Sequence, residues 1–164
     1  MKVLSTLSAA LLAVSVIPSY AEEPDAKTSK EFFKDWQLSC VEKDEEKQCS
    51  VSQALLNDQG QTVAVVNLSY VEKLTVLEFG LPLMMDLTLP VSLSVDGNSV
   101  SNYPYNACNQ RACFIIREDD EDLLAAFTKG TQAQMKLTAF GGQNVEMNFS
   151  LKGFSSALTE LKKR

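Results

Sequence analysis

Apolar and polar residues alternate along most of this 164-residue chain. In residues 91–95, valine and leucine alternate with serine, and in residues 145–151 four apolar residues alternate with Glu, Asn and Ser. A repeat of two places every second side chain on the same face of an extended strand. The dominant pattern therefore predicts half-buried antiparallel strands.

Turn-forming residues separate these predicted strands. The turn sequences are Asn57-Asp58-Gln59-Gly60 between 49–56 and 61–71, Asp96-Gly97-Asn98 after 91–95, and Gly141-Gly142 between 133–140 and 143–151. Such residues favour tight hairpin turns. The charged segment 43–47 is predicted to join a strand over 36–42 to the strand that begins at Cys49.

Two segments, Asp120–Lys129 and Ser155–Lys163, show helical spacing instead. Their apolar residues with that spacing are Leu123, Leu124 and Phe127 in the first segment, and Phe154, Leu158 and Leu161 at the second. We expect each helix to cover an edge or an end of a sheet. The predicted fold is mainly β, an antiparallel β-sandwich with one short helix after the second cysteine pair and one at the C-terminus.

The first 21 residues resemble a secretory signal peptide. Lys2 precedes an apolar stretch over 3–17, and the small residue Ala21 precedes two glutamates. Serines interrupt the stretch, which is shorter than the ~20 apolar residues of a spanning helix. We therefore expect a signal peptide over 1–21 with cleavage after Ala21, a disordered leader over 22–31 and one β-sandwich domain over 32–164.

Charge argues against nucleic acid as a partner. The chain has a formal net charge of -6, and loss of Lys2 with the signal peptide would make it -7. The only basic cluster is the terminal Lys162-Lys163-Arg164, whereas phosphate binding requires clustered Lys and Arg. An anionic membrane would also repel the protein. The expected partner is a protein or envelope component, and the mature chain is predicted to have no membrane-spanning segment.

Four cysteines form two closely spaced pairs. They are Cys40, Cys49, Cys108 and Cys113. In a chain exported to an oxidising compartment, such pairs indicate two disulfides. Four cysteines permit three connectivities, and we favour Cys40 with Cys49 and Cys108 with Cys113, because each pair brackets a polar, turn-like segment. A zinc site is the less favoured alternative, since the chain has no histidine and neither pair has two-residue spacing.

The absence of histidine removes many catalytic mechanisms. A Ser-His-Asp triad, a Cys-His dyad and an H-E-x-x-H zinc site all require it. The acidic run 118–122 offers paired carboxylates, as in glycosidases or calcium sites. Because negative charge is also favoured where a helix begins, we interpret the run as helix capping. We predict no catalytic residue, cofactor or metal.

Two further features are candidates for recognition. The apolar segment Leu81–Met85, followed by Leu89-Pro90, is either an exposed docking surface or a buried crossover between sheets, and we favour the buried interpretation. Tyr103 and Tyr105 are either surface recognition aromatics or residues at the rim of the core.

An ordered series of short motifs resembles the invasion associated locus B family. The series is Phe33–Cys40, Leu81-Pro82-Leu83, Val95-Asp96-Gly97, Cys108–Phe114, Asp122-Leu123-Leu124, Gly130 and Ser150–Phe154. Its most specific pieces are the F-x-D-W-x-x-x-C opening and the S-L-K-G-F ending. Lys34 stands where the family pattern has a small residue, and Met84 stands where a glycine often follows Leu-Pro-Leu.

The resemblance implies an exported β-rich protein, linked in the founding members of the family to entry of bacteria into host cells. It implies no catalytic residue. We therefore expect a non-enzymatic interaction protein in the periplasm, or secreted and surface-associated, of a Gram-negative bacterium, contributing to host-cell invasion or envelope integrity. The alternatives are a carboxylate-dependent glycan-acting enzyme, which needs two facing carboxylates and a raised pKa, and a periplasmic chaperone or inhibitor, which needs an apolar groove or an open strand edge.

Overall fold

A computed structural model describes residues 27–44 and 46–164. Within them, eleven strands and two helices follow one another along the chain. They are β1 (Lys27–Phe33), β2 (Trp36–Lys43), β3 (Glu46–Leu56), β4 (Thr62–Val71), β5 (Leu74–Leu81), β6 (Val91–Val95), β7 (Asn98–Tyr103), β8 (Ala107–Cys108), β9 (Cys113–Glu118), α1 (Glu121–Lys129), β10 (Gln132–Thr138), β11 (Asn144–Ser150) and α2 (Phe154–Leu161).

The strands form two antiparallel sheets in a sandwich-like arrangement, which confirms the predicted fold class. The larger sheet has the order β1-β2-β3-β4-β5-β9-β8, and the smaller sheet has the order β11-β10-β6-β7. The hairpins predicted at residues 57–60, 96–98 and 141–142 are confirmed as the β3–β4, β6–β7 and β10–β11 connections. Alternation and turn residues together predicted β2, β3, β4, β6, β10 and β11, whereas β5, β8 and β9 were not assigned from the sequence.

A row of four buried aromatic rings crosses the interior between the elements. Trp36 of β2 lies 4.9 Å from Phe154 of α2, which lies 5.4 Å from Phe127 of α1, which in turn lies 6.1 Å from Phe79 of β5, measured between ring centroids. All three contacts are edge-to-face, the geometry that the charge distribution of aromatic rings favours. Both helices are thus anchored over the inner face of the larger sheet.

For α2, this placement corrects the expectation that each helix covers an edge or an end of a sheet. Helix α1 does contact an edge strand, β7 of the smaller sheet. Helix α2 contacts the four neighbouring strands β1 to β4. Its buried residues Phe154, Ala157 and Leu161 form one apolar stripe, and such a stripe needs the wide apolar face of a sheet rather than an edge.

Strand β1 corrects part of the predicted disordered leader. Residues 27–31 of the predicted 22–31 segment pair with β2, in a register that runs from Lys27 opposite Glu42 to Phe33 opposite Trp36. Every side chain of β1 before Phe33 is exposed, so backbone hydrogen bonds rather than apolar burial hold most of this strand. Residues 22–26, the predicted signal peptide and the predicted cleavage after Ala21 lie outside the described residues.

No helix among the described residues has both the length and the apolar character to span a membrane.

Two chain segments connect the two sheets through hydrogen bonds. One is residues 33–36, at the β1–β2 turn, and the other is residues 150–154, at the junction of β11 and α2. We call these two segments, together with Gln53, the clasp. The indole Nε1 of Trp36 donates to the carbonyl oxygen of Ser150 at 2.9 Å. The backbone N–H of Asp35 donates to the carbonyl oxygen of Lys152 at 3.3 Å, and Ser150 Oγ donates to Asp35 Oδ2 at 2.5 Å. The start of β2 is therefore bonded to the end of β11.

Gln53 of β3 completes the clasp through its side-chain amide. Its Nε2 donates to the carbonyl oxygen of Ser150 at 2.9 Å, and its Oε1 accepts from the Ser150 backbone N–H at 2.9 Å. The same Nε2 lies 3.0 Å from the carbonyl oxygen of Asp35. One amide thus satisfies both backbone groups of the last residue of β11, as a neighbouring strand would.

Gly153 allows the two chain segments of the clasp to approach closely. Its φ is +93°, a left-handed conformation that favours glycine. A Cβ at this position would lie 1.9 Å from the Phe33 carbonyl oxygen. No residue with a side chain fits here without moving the backbone of the β1–β2 turn.

We predict that Gly153→Ala destabilises the protein far more than Gly142→Ala. Gly142 also has a positive φ of +88°, but nothing lies within 4 Å of its added Cβ. In the matched control, Gly142→Ala, the free energy of unfolding should fall by only ~1 kcal/mol, the cost of a side chain in the left-handed conformation. Gly153→Ala adds a steric clash, so its free energy of unfolding should fall by about 3 kcal/mol or more. Urea unfolding of the disulfide-intact protein measures both losses. Equal losses for the two variants would contradict the close approach.

Candidate interaction surface

The most specific motifs of the sequence lie in the clasp. Asp35 and Trp36 of the F-x-D-W opening are bonded to residues of the S-L-K-G-F ending, and the ring of Phe154 packs on the indole of Trp36. Trp36, Leu151 and Phe154 are buried. These motifs therefore serve the fold.

The two departures from the family pattern fall at left-handed backbone positions. Lys34 has a φ of +54° in the β1–β2 turn, and Met84 has a φ of +66° in the loop after β5. A side chain costs ~1 kcal/mol in this conformation. A small residue or a glycine suits both positions for this reason, so these two residues carry local backbone strain.

The structure joins Cys40 to Cys49 and Cys108 to Cys113. Cys40 and Cys49 are directly opposed residues of β2 and β3, and Cys108 and Cys113 are directly opposed residues of β8 and β9. Each bond therefore links two neighbouring strands. Among the described residues no cysteine is free.

The acidic run 118–122 caps helix α1, as predicted. Asp120 is the N-cap residue, and its Oδ1 accepts from the backbone N–H of Leu123 at 3.1 Å. Asp119 is used differently, because its Oδ1 accepts from the backbone N–H of Thr75 at 2.8 Å. Two carboxylates of the run are thus committed to backbone donors and to joining α1 to β5.

Tyr103 lies within the structure rather than on a recognition surface. It is buried, and its hydroxyl donates to Asp120 Oδ2 at 3.0 Å. The guanidinium of Arg117 lies 4.9 Å from the ring centroid. Burial, followed by the neighbouring Asp120, raises the pKa of Tyr103 to about 12, so the phenol stays protonated and donates its hydrogen bond at neutral pH.

Tyr105 is also placed at the rim of the core. Its ring packs against the hydrophobic cluster, and its buried hydroxyl has no hydrogen-bond partner among the described residues. Burial and then the negative charge of Asp86 raise the pKa of Tyr105 to about 12. Of the two interpretations of these tyrosines, the structure favours the core rim.

Three carboxylates differ from a glycan-cleaving acid in the direction of their pKa shift. The pKa is lowered at Asp86 by hydrogen bonds from Thr88, at Asp96 by hydrogen bonds from Thr131, and at Glu160 by Lys163. A general acid needs a raised pKa instead. The described residues also contain no group of three or more Cys, Asp or Glu side chains arranged to hold a metal ion.

An exposed apolar surface lies at the loop after β5, where we expected a buried crossover. This apolar loop surface consists of Leu83, Met84, Leu87, Leu89 and Phe140, and its two most exposed members are Met84 at 73 % and Phe140 at 77 %. The expectation was wrong for Leu83, Met84 and Leu89. Leu81 is buried at the end of β5, and Met85 packs on the core, so the chain alternates and directs Met84 outward.

Backbone hydrogen bonds hold this loop against the β10–β11 hairpin. The N–H of Phe140 donates to the carbonyl oxygen of Met84 at 2.8 Å, and the N–H of Asp86 donates to the carbonyl oxygen of Thr138 at 2.8 Å. Met85 also forms an isolated bridge with Ala139. The loop is therefore supported like a short strand, with its outward side chains left in solvent.

Phe140 was missed at the level of sequence. It precedes the predicted Gly141-Gly142 turn, and an aromatic residue beside a tight turn lies at the end of a hairpin, where neighbours are few. That position was the available signal. Its closeness to Met84 depends on a pairing between distant segments, which local pattern does not reveal.

Comparison with known proteins shows a matching family and two relatives of similar length. The profile of the family described as Invasion associated locus B (IalB) protein matches residues 36–162. Two relatives, each named Invasion protein B homolog, come from Brucella abortus strain 2308 and from biovar 1 strain 9-941. Each is 29 % identical over 143 residues, covering 83 % of this chain and 80 % of the relative.

A solved structure shares the fold. The crystal structure of invasion associated protein b from Bartonella henselae matches with a TM-score of 0.74 and 21 % sequence identity, covering 82 % of this chain and 95 % of that chain. At this identity the match concerns the architecture of the two sheets and two helices.

Non-reducing peptide mapping is expected to recover Cys40 linked to Cys49 and Cys108 linked to Cys113. The two cysteines of each pair are directly opposed on neighbouring strands, so each lies within bonding distance of its partner. Recovery of Cys40 linked to Cys108 or Cys113, or of free thiol at any of the four, would show that the pairing is different.

Proposed function

Because the chain belongs to the invasion associated locus B family, we propose that it is an exported, non-enzymatic protein that acts by binding another protein of the bacterial envelope or its surface. The observation that carries the proposal is the apolar loop surface. We further propose that this binding contributes to host-cell invasion, as the names of the relatives suggest, or to envelope integrity.

The apolar loop surface has the properties of a protein contact. Five large apolar side chains lie exposed on one loop and its neighbouring hairpin turn. Burying a side chain of this kind contributes about 1.5–3 kcal/mol, and contiguous exposed apolar patches mark interaction sites. The hydrogen bonds between the loop and β10 hold the surface in place before a partner arrives, which lowers the entropy cost of binding.

Charge favours a protein over a lipid bilayer as the occupant. The expected mature chain carries a net charge of -7, as the full chain carries -6 with Lys2, and the only charged residue within the loop 82–90 is Asp86. Membrane-binding surfaces add basic residues around their apolar side chains to attract anionic lipids. This surface carries the opposite charge.

The predicted signal peptide and the paired cysteines support an oxidising compartment outside the cytoplasm. The periplasm and the cell surface both satisfy this requirement. An envelope protein is available as a partner in either location.

Site-specific photo-crosslinking in intact envelopes tests the proposal. A benzoylphenylalanine placed at position 84 or at position 140 should give the same adduct with one envelope protein, because both side chains belong to the same surface. The purified protein should bind that partner directly, and Met84→Ser combined with Phe140→Ser should weaken the binding at least tenfold by loss of apolar burial.

Phe32 and Leu56 provide matched controls. Both are exposed large apolar residues that lie outside the apolar loop surface. The crosslinker at these positions should give no such adduct, and Phe32→Ser with Leu56→Ser should leave binding unchanged. Adducts with lipid alone at 84 and 140, or the same adducts from all four positions, would overturn the proposal.

A further inference from the structure

Gly80, near the end of the interior strand β5, is not required by the fold. A glycine within a strand costs roughly 0.5–1 kcal/mol relative to alanine. An added Cβ would lie 2.2 Å from a side-chain atom of Val95 at Gly130 and 1.9 Å from backbone at Gly153, so those two glycines are sterically necessary. At Gly80 the nearest atom would be Cε1 of Phe114 at 3.6 Å, an ordinary contact, and φ is not left-handed.

The missing side chain opens a cleft on the outer face of the larger sheet. Val65, Gly80 and Phe114 are directly opposed on β4, β5 and β9. The cleft has a volume of about 390 Å³, and Val63 also lines it. A glycine in a strand often marks a place where a ligand approaches closely. Val65, Gly80 and Phe114 give the cleft an apolar floor.

A positive charge stands at one side of the cleft. Arg111 lines it, is exposed and forms no ion pair with any described residue. The Cys108–Cys113 bond closes its loop, and Asn109 Oδ1 accepts from the backbone N–H of Arg111 at 2.7 Å. The second disulfide therefore fixes the segment that presents this guanidinium.

The next row of residues on the same face is polar on three of its strands. Ser52, Asn67 and Glu78 are directly opposed on β3, β4 and β5, and Ile116 of β9 continues the row. Glu78 also lines the cleft. A long acyl chain would have to cross this row and desolvate it. A peptide would instead place its backbone there, where a carboxylate and an amide accept and donate hydrogen bonds.

We propose that this cleft binds the carboxyl-terminal residue of a partner polypeptide. The apolar side chain of that residue packs on Val65, Gly80 and Phe114, and its terminal carboxylate pairs with Arg111. The inference rests on the proposed function in that the partner is a protein. It adds a second contact site for that protein. This site lies on β5, the strand that leads directly into the apolar loop surface.

Fluorescence polarisation with short labelled peptides tests the inference on the full mature protein. The probes are Gly-Ser-rich octapeptides that end in Val, Leu or Phe, each made as the free acid and as the carboxamide. At least one free acid should bind at least tenfold more tightly than its carboxamide, because only the acid forms the charge-assisted pair with Arg111.

Two variants locate the binding in the cleft. Gly80→Val should abolish binding by filling the floor. The added Cβ makes only ordinary contacts and valine favours strands, and thermal unfolding of the variant checks that the fold is retained. Arg111→Gln should reduce affinity for the acid to that for the carboxamide. Lys30→Gln, at an exposed position on β1, is the matched control for loss of a positive charge and should leave binding unchanged.

Three results would overturn the inference: no binding by any apolar free acid, equal binding of acid and carboxamide, or full displacement of the peptide by decanoate at equal concentration. The proposed function has a separate outcome. Crosslinks from positions 84 and 140 that persist in Gly80→Val and Arg111→Gln would keep the envelope partner and discard only the carboxyl-terminal site.

Discussion

The bonds that Gln53 and Trp36 make to Ser150 are the contacts on which the rest of the structure depends. The two sheets share no ladder of backbone hydrogen bonds, so the end of β11 would leave its polar groups unpaired where it meets the larger sheet. The Gln53 amide and the Trp36 indole pair them. This contact sets Phe154 beside Trp36 and thereby fixes α2 across the face of four strands.

Because the clasp uses the most recognisable sequence motifs, those motifs describe how the protein folds rather than what it does. The candidate contacts for function lie elsewhere, on the apolar loop surface and on the cleft at Gly80. Both are connected to β5, which leads from the cleft directly into the loop. A rigid sandwich that presents two neighbouring surfaces suits a protein that binds, since little ordering is required when the partner arrives.

Local pattern predicted three hairpins and the strands β2, β3, β4, β6, β10 and β11, because burial on one face of a sheet imposes a repeat of two and turn residues mark the ends of strands. It did not assign β5, β8 or β9. It failed for β1, because the exposed side chains of this strand show no such repeat. The strand is held by backbone pairing with β2. Local pattern also failed for the position of α2, since the contact between Trp36 and Phe154 joins segments more than a hundred residues apart. Met84 and Phe140 were misjudged or missed for a related reason: composition cannot tell which member of an apolar pair faces outward.

Native-state hydrogen exchange with Gln53→Ala tests the central role of the clasp most directly. If the clasp joins both sheets into one cooperative unit, the free energies of opening at amides of β2, β3, β10 and β11 should fall together by the same amount. The outcome that contradicts this account is a fall confined to the amides of β10 and β11, with those of β2 and β3 unchanged, because it would mean that the smaller sheet opens independently of the larger one.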